Sequence, residues 1–271
     1  MKIAITGGRG FIGSATVMMA ENYGHEVIHF DRTDGNDVLG DLSSLQGANA
    51  VIHLAGVLGT SELFETAEEA IDINVKGTLR ILEWCRYNDA NYVGVTLPPV
   101  FRSVYTATKM CADAFTTAWH HAFGVRTATV RAFNVFGIGQ KWGPGHPQKF
   151  VPTFAMQAWR GQPLTIWGDG HQTMDVVHTS DLGRMLVEAT QHSDNPMFDA
   201  GCGEEISVND FADFVLDVTG SQAGVVHLPM RIGEVPSRIK ATGEGWDRLT
   251  WKPTLDWNQV AEAIMWYKDK V

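Results

Sequence analysis

The stretch Thr6-Gly-Gly-Arg-Gly-Phe-Ile-Gly13 follows the apolar run Lys2–Thr6 and opens an amphipathic stretch over residues 11–23. The run before it has the length and apolar content of a buried strand. In the stretch after it, Ile12, Ala15, Met19 and Tyr23 recur at helical spacing and predict one buried helix face. Between the two, Gly7, Gly10 and Gly13 stand three residues apart. In a strand–turn–helix unit the first such glycine permits a tight turn. The second lets a pyrophosphate approach the backbone, and the third lets the helix pack against the sheet. The helix start, at Phe11 and Ile12, then presents free N–H groups and a positive dipole end to phosphates. A glycine string alone marks no more than a turn; the strand before it and the helix after it give this one its meaning.

Working outward, the next strand-like run (residues 25–31) ends in Asp31, 18 residues past Gly13. A carboxylate at that point binds both hydroxyls of an adenosine ribose and repels a 2′-phosphate, so NAD is expected over NADP. Arg32 is the opposing feature, because an arginine at this turn can receive that phosphate. Further apolar runs at 50–55, 92–96 and 126–134 alternate with helical stretches at about 68–87 and 104–123. Continuous apolar strands separated by helices imply a parallel sheet covered on both faces. The expected fold class is therefore α/β, a doubly wound parallel sheet of the Rossmann type.

After Gly137 the texture changes. The segment 137–148, GIGQKWGPGHPQ, reads as a loop, and six of the nine tryptophans lie beyond it. This predicts a dinucleotide-binding domain over 1–137 and 175–200, with one strand near 197–200 returning to the main sheet. A smaller substrate-binding lobe is predicted over 138–174 and 201–271.

Composition removes several functions. The chain has 271 residues, 44% hydrophobic and 19% charged, with a formal net charge of −10. Such an acidic chain, without a long Lys/Arg run, does not suit general nucleic-acid binding. Cys85, Cys111 and Cys202 lie far apart with no metal or disulfide spacing, and read as buried thiols of a reducing compartment. No apolar run reaches the length of a membrane span, and the N-terminus reads as a first strand rather than a leader. A cytoplasmic protein without a membrane partner is expected. His120 with His121, and His146, His171 and His178, show no metal-ligand spacing, so no metal is expected.

Tyr105 and Lys109 stand at i and i+4 of the predicted 104–123 helix, on one face. A phenol with an ordinary pKa of about 10 is a poor base at neutral pH. A neighbouring ammonium lowers that value and lets the pair move a proton while hydride moves to or from a nicotinamide. The spacing alone is common in amphipathic helices; together with the glycine turn and Asp31 it points to catalysis.

These motifs resemble the extended short-chain dehydrogenase/reductase family, in its branch of nucleotide-sugar epimerases and dehydratases, over essentially the whole chain. The resemblance makes Gly40-Asp41-Leu42 the adenine-side contact and His53-Leu54-Ala55-Gly56 the segment under the cofactor ribose. It assigns Asn74 of Asn74-Val-Lys-Gly-Thr78 and Lys109 to the cofactor, and Tyr105-Thr-Ala-Thr-Lys109 to catalysis. In Arg131-Ala-Phe-Asn-Val-Phe-Gly137 it implies that Phe133 meets the nicotinamide and Asn134 the substrate. Residues 163–170, 175–178 with Asp181, and 249–253 are typical of the sugar-nucleotide branch. Helices 68–87 and 104–123 match the pair that forms a homodimer in that family.

The pattern breaks twice. Thr96 matches the family's Ser or Thr beside the catalytic tyrosine, yet it stands only nine residues before Tyr105, and Ser103 is the alternative. Leu97 and Pro98 occupy the positions of the acidic pair used by 4,6-dehydratases, which argues against dehydration. Secondly, Met174 replaces a diphosphate-binding arginine, and a methionine cannot bind phosphate. Arg231 matches a later family arginine for the substrate diphosphate, with Lys149 or Arg160 as helpers; an exposed loop cation is the competing reading. Three functions follow. The first is an NAD-dependent nucleotide-sugar epimerase of the UDP-glucose 4-epimerase kind. The second is an NAD(P)-dependent reductase or dehydrogenase of another carbonyl compound, and the third a non-catalytic NAD-binding protein.

Overall fold

The computed structural model describes residues 1–143 and 146–271, so Pro144 and Gly145 of the expected 137–148 loop lie outside the described residues. Along the first half run β1 (Lys2–Thr6), α1 (Phe11–Asn22), β2 (Glu26–Phe30) and β3 (Ala50–His53). They are followed by α2 (Ala67–Ile71), a π-helical turn (Asp72–Lys76) and α3 (Gly77–Asn88), then β4 (Asn91–Thr96), α4 (Val104–Phe123), β5 (Thr127–Ala132) and β6 (Asn134–Phe136). The second half carries α5 (Phe150–Trp159), β7 (Leu164–Trp167), β8 (Thr173–Met174), β9 (Val176–His178) and α6 (Thr179–Ala189). After these come β10 (Asp194–Ala200), β11 (Ile206–Ser207), α7 (Val208–Thr219), β12 (Val225–Leu228) and α8 (Trp257–Trp266).

Six strands form one parallel sheet in the order β2-β1-β3-β4-β5-β10. The central strands β1, β3 and β4 read as unbroken apolar runs because both of their faces are covered. On one face, Ile3, Ile5, Ile52 and Val93 pack with Val17 and Ala20 of α1 and Leu182 and Met185 of α6. On the other, Ala4, Val51 and Tyr92 pack with Ile81, Leu82 and Cys85 of α3. A separate core joins Phe154 of α5, Ile166 of β7, Phe211 of α7 and Ile264 of α8. The chain leaves β1 for one side of the sheet and returns at β3 on the other. This strand-order reversal opens a crevice at the carboxyl ends of β1 and β3.

Four expectations need correcting. On α1, Ala15 is buried and Ile12 and Met19 pack against the core as expected, but Tyr23 is 47% exposed, and the fully buried face also takes in Gly13, Thr16, Val17 and Ala20. Glycine and alanine let this helix lie close to β1 and to α6, where Gly183 meets the Ala15 backbone, so apolar size is a poor guide to its inner face. The expected strand 50–55 ends at His53, where the chain turns into the crevice. The strand 126–134 is two strands, because β5 stays in the main sheet whereas β6 pairs with β9. Of the three thiols only Cys85 is buried, which pushes its pKa up. Among the described residues, no helix is long and apolar enough to cross a membrane.

The tightest approach in the fold is at the glycine turn. A Cβ on Gly13 would stand 2.0 Å from the Gly7 carbonyl oxygen. Gly13→Ala is therefore expected to cost about 1–3 kcal/mol of folding stability through overpacking, read as a lower urea midpoint. Ser14→Ala, on the exposed side of the same turn, moves the midpoint little. An unchanged midpoint in Gly13→Ala shows that the turn relaxes at no cost.

Candidate active site

The crevice is pinned by Thr6 at the end of β1. Its hydroxyl accepts from the Leu54 and Ala55 N–H groups, each at 3.1 Å, and lies 2.7 Å from His53 Nδ1. With two N–H groups accepted, the hydroxyl's own proton goes to Nδ1, so the neutral ring carries its proton on Nε2. Burial, and secondarily the Lys109 charge, pull the His53 pKa down to about 3. Its Nε2 is buried and has no partner among the described residues. His53 was quoted in the sequence only as part of a segment; its neutral, oriented state is visible only once β1 and β3 are adjacent.

The glycine turn shapes the first wall. Gly7 has φ +70°, and a Cβ there would meet the Ala55 backbone at 2.9 Å. Among the described residues no side chain caps the N-terminus of α1, whose N-cap is Gly10, so the Phe11 and Ile12 amides keep their donor capacity. Asp31 lies at the edge of this wall, accepting from the Arg9 N–H, the Thr33 N–H and the Thr33 hydroxyl at 2.9–3.0 Å. Burial raises its pKa, but those bonds outweigh burial and hold it below the usual carboxylate range. The Arg32 side chain is 69% exposed and faces Asp37 across 3.9 Å. Asp41 turns back on Ser43, whose hydroxyl and N–H it accepts, and Leu42 packs against the core beneath.

Gly56 and Asn74 meet closely. A Cβ on Gly56 would lie 2.9 Å from Asn74 Oδ1. Asn74, in the π-helical turn, accepts from Val57 N–H and donates to Val57 carbonyl, both at 2.9 Å, and donates to Thr108 at 3.1 Å. It ties the loop after β3 to α4, one residue before Lys109. Phe133, between β5 and β6, donates its N–H to the Ala200 carbonyl.

Tyr105 and Lys109 share one face of α4, whose N-cap is Ser103. The Ser103 hydroxyl accepts from Thr106 N–H and is 7% exposed; capping occupies it, which leaves Thr96 as the hydroxyl at the end of β4. Thr96 is buried and shares a small cavity with Lys109, and no hydrogen bond joins it to Tyr105 among the described residues. The expected depression of the Tyr105 pKa does not appear: burial pushes the phenol up to about 12. Burial acts on Lys109 as well and brings it down to about 8 against the pull of Asp113. Desolvation outweighs the charge-pair effect read from spacing, because both groups leave water together.

On the far side of the crevice, Arg231 is 17% exposed. Its Nε donates to Glu234 at 3.1 Å, a second nitrogen contacts the same carboxylate, and another donates to Gln148 at 3.0 Å. It is not the free loop cation of the competing reading. Lys149 is lowered by burial, with Glu62 and Glu234 pulling it back up. Arg160 lies over the Trp142 ring at 4.4 Å. Gly233 packs against Phe64 and the Arg102 carbonyl, which brings the Arg231 loop to the segment before α4. Asn134 donates its side-chain amide to the Asp175 carbonyl at 3.2 Å.

The model of the NAD dependent epimerase/dehydratase family matches residues 3–97 and 94–201. The chain belongs to that family. It is 25% identical to a UDP-glucose 4-epimerase of Corynebacterium glutamicum, over 93% of this chain and 91% of that protein. It is also 25% identical to a UDP-N-acetyl-alpha-D-glucosaminuronate decarboxylase of Bacillus cytotoxicus, over 98% and 97%. That second alignment runs over 313 positions, so the relative carries segments this chain lacks. The solved structure of MoeE5 in complex with UDP-glucose and NAD superposes with a TM-score of 0.88 at 25% identity, covering 100% of this chain and 99% of that one. The fold around this crevice is thus that of the epimerase/dehydratase family.

The residues present fit that family's dinucleotide, with an uncapped helix start, a close glycine turn and an ionised Asp31 at the strand end. Where the family pattern breaks at Met174, the reason is packing. Met174 is 5% exposed, pairs with Ile206 and belongs to the second-half core. An arginine at this position would meet the packed core before it met a phosphate. Met174→Arg is expected to cost about 3–5 kcal/mol as an unpaired buried charge, without tightening UDP in a calorimetric titration. A stable variant with stronger UDP binding shows instead that position 174 reaches the crevice.

Proposed function

We propose that this chain is an NAD-dependent epimerase acting on a nucleotide sugar, in the manner of a UDP-glucose 4-epimerase. The observation that carries the reading is the half-buried Tyr105–Lys109 pair on α4, beside the crevice formed by the glycine turn. Gly7, Gly10, Phe11, Ile12 and Gly13 would receive the pyrophosphate. Asp31 would take the adenosine ribose, and Asp41, Leu42, Leu54, Ala55, Gly56, Asn74 and Phe133 the rest of the dinucleotide. Exposed Arg32, turned toward Asp37, leaves the ribose carboxylate in charge, which favours NAD over NADP. The lobe of 138–174 and 201–271 would hold the sugar nucleotide, with Asn134 and Arg231 at its contact with the first domain.

NAD, when bound, supplies a hydride acceptor and a positive ring. Tyr105 is protonated in its buried setting, so it can accept a proton from the sugar hydroxyl only after giving up its own to solvent, a loss that positive charge beside the phenol favours. Lys109 supplies part of that charge. Thr96 holds the substrate oxygen next to the phenol. Leu97 and Pro98 follow Thr96 with no acid or base, which supports hydride return over elimination. Arg231 offers its guanidinium to the diphosphate in exchange for Glu234. Net reduction of another carbonyl compound is the second reading, supported by this prior commitment of Arg231 to a carboxylate. The outward apolar side chains Tyr87, Met110 and Phe123 on α3 and α4 fit a homodimer through those helices, and a cytoplasmic location belongs to the same reading.

An epimerase is expected to purify with one tightly held dinucleotide per chain and to interconvert UDP-glucose and UDP-galactose with none added. A need for added NADH or NADPH moves net reduction to first place. Tyr105→Phe keeps the ring and its packing and is expected to retain the dinucleotide while turnover falls about 10²–10⁴-fold. Wild-type turnover in that variant removes Tyr105 from the mechanism. The pH dependence has a definite sign. Lys109 acts as a cation with a pKa brought down to about 8, so turnover holds below that value and declines as pH rises through it. A rate that climbs steadily to pH 10 contradicts the assignment.

A further inference from the structure

Behind the reactive face of α4, Lys109 and Asp113 stand one helical turn apart and line a small, partly open space between the helix and the sheet. Tyr92, Thr96, Lys109, Asp113, Thr116 and Thr129 contribute to its wall. It leaves about 10 Å³ for the centre of a water molecule, the room for one water among several polar partners. Among the described residues Lys109 makes no ion pair, and Asp113 makes none within 4.0 Å of any cation. The other nearby cation, Arg131, is already bound to Asp199 and to Glu244, the latter at 2.9 Å. An ammonium and a carboxylate, both half-buried and neither directly ion-paired, thus border the same water-sized space.

We propose that Asp113 is a positioning residue for Lys109, holding its ammonium charged and aimed through a single water bound between them. The water accepts from Lys109 and donates to Asp113, with the Thr129 and Thr96 hydroxyls beside it. Tyr92 is 2% exposed and neutral, its pKa raised by burial, so it adds a hydroxyl and no charge. The charge acting on Lys109 is that of Asp113, against desolvation, while His53 on β3 faces it as a neutral ring and Tyr105 one turn back on α4 as a neutral phenol. Asp113 is raised by burial and by Glu244, and lowered by Thr129, Lys109 and Arg131. The inference rests on the reading of Lys109 as the cation of the catalytic pair, but its test requires neither substrate nor NAD turnover.

The experiment is a pH titration of protein carrying lysine labelled with ¹³C at Cε, followed by heteronuclear NMR. The Lys109 resonance is identified by its loss in Lys109→Met. Asp113→Asn is expected to shift the Lys109 midpoint down by roughly one pH unit, the size of effect a close opposite charge produces. Asp113→Glu returns it toward the wild-type value. A midpoint that stays in place or rises in a folded Asp113→Asn protein overturns the proposal. Should that variant fail to fold, a high-resolution crystal structure of the wild type decides: one ordered water within hydrogen-bond distance of both Lys109 Nζ and the Asp113 carboxylate supports it, and a dry or differently bridged space overturns it. A correct midpoint shift in a protein that epimerises nothing leaves the Lys109–Asp113 pairing standing and removes only the epimerase reading.

Discussion

The architecture depends on how closely two pieces of backbone come together. Gly13 approaches the Gly7 carbonyl so nearly that a single methyl has no room, and this contact sets α1 directly at the end of β1. Without that closeness, the amides at the start of α1 would not face the strand-order reversal. A capping serine or aspartate at the N-cap would have satisfied those amides internally; Gly10 leaves them open. The same economy of atoms recurs where Gly183 of α6 meets the Ala15 backbone. Helices with small inner faces lie near the sheet.

Thr6 and His53 extend that constraint sideways. One hydroxyl accepts two backbone amides and donates to a ring, so the ends of β1 and β3 and the first residues of the following loop move as a unit. Asn74 then carries the connection from that loop to α4 through Val57 and Thr108. A residue that the family resemblance assigns to the cofactor is, in this geometry, the link that fixes the catalytic helix relative to the glycine turn. The two roles are compatible, because a side chain amide locked on both sides presents its surroundings with little freedom.

Much of this was legible from residues alone, for physical reasons that can be named. The glycine turn was readable because close approach admits only one residue type, and α4 because the helical stretch 104–123 stands between two apolar strands. The inner face of α1 was only partly legible: Ile12, Ala15 and Met19 do meet the core, but Tyr23 does not, and the fully buried positions are small residues that apolar spacing does not mark. Met174 was read as a lost phosphate ligand, although spacing cannot tell a crevice position from a core position on a two-residue strand. The pKa of Tyr105 was misjudged because i,i+4 spacing reports proximity and not desolvation. Asp113 was visible one turn beyond Lys109 all along, yet an acidic residue on a helix ordinarily faces water. Only the sheet packed against it shows otherwise.

Desolvation is what joins the catalytic pair to its surroundings. Burying a phenol and an ammonium side by side moves their pKa values toward the neutral form of each, which is the wrong direction for a base assisted by a cation. Some of that cost has to be offset where the charge sits. In this chain the compensation lies one turn along the same helix, in a carboxylate that is itself raised by burial and so is stabilised by the ammonium in return. Because Tyr105, Lys109 and Asp113 lie on one continuous helix whose first turn is capped by Ser103, their spacing is set by the helix repeat and not by loop conformation. The short segment between Thr96 and Ser103 can therefore depart from the family's length without disturbing the order of charges on the helix; what it changes is the wall that a substrate meets first.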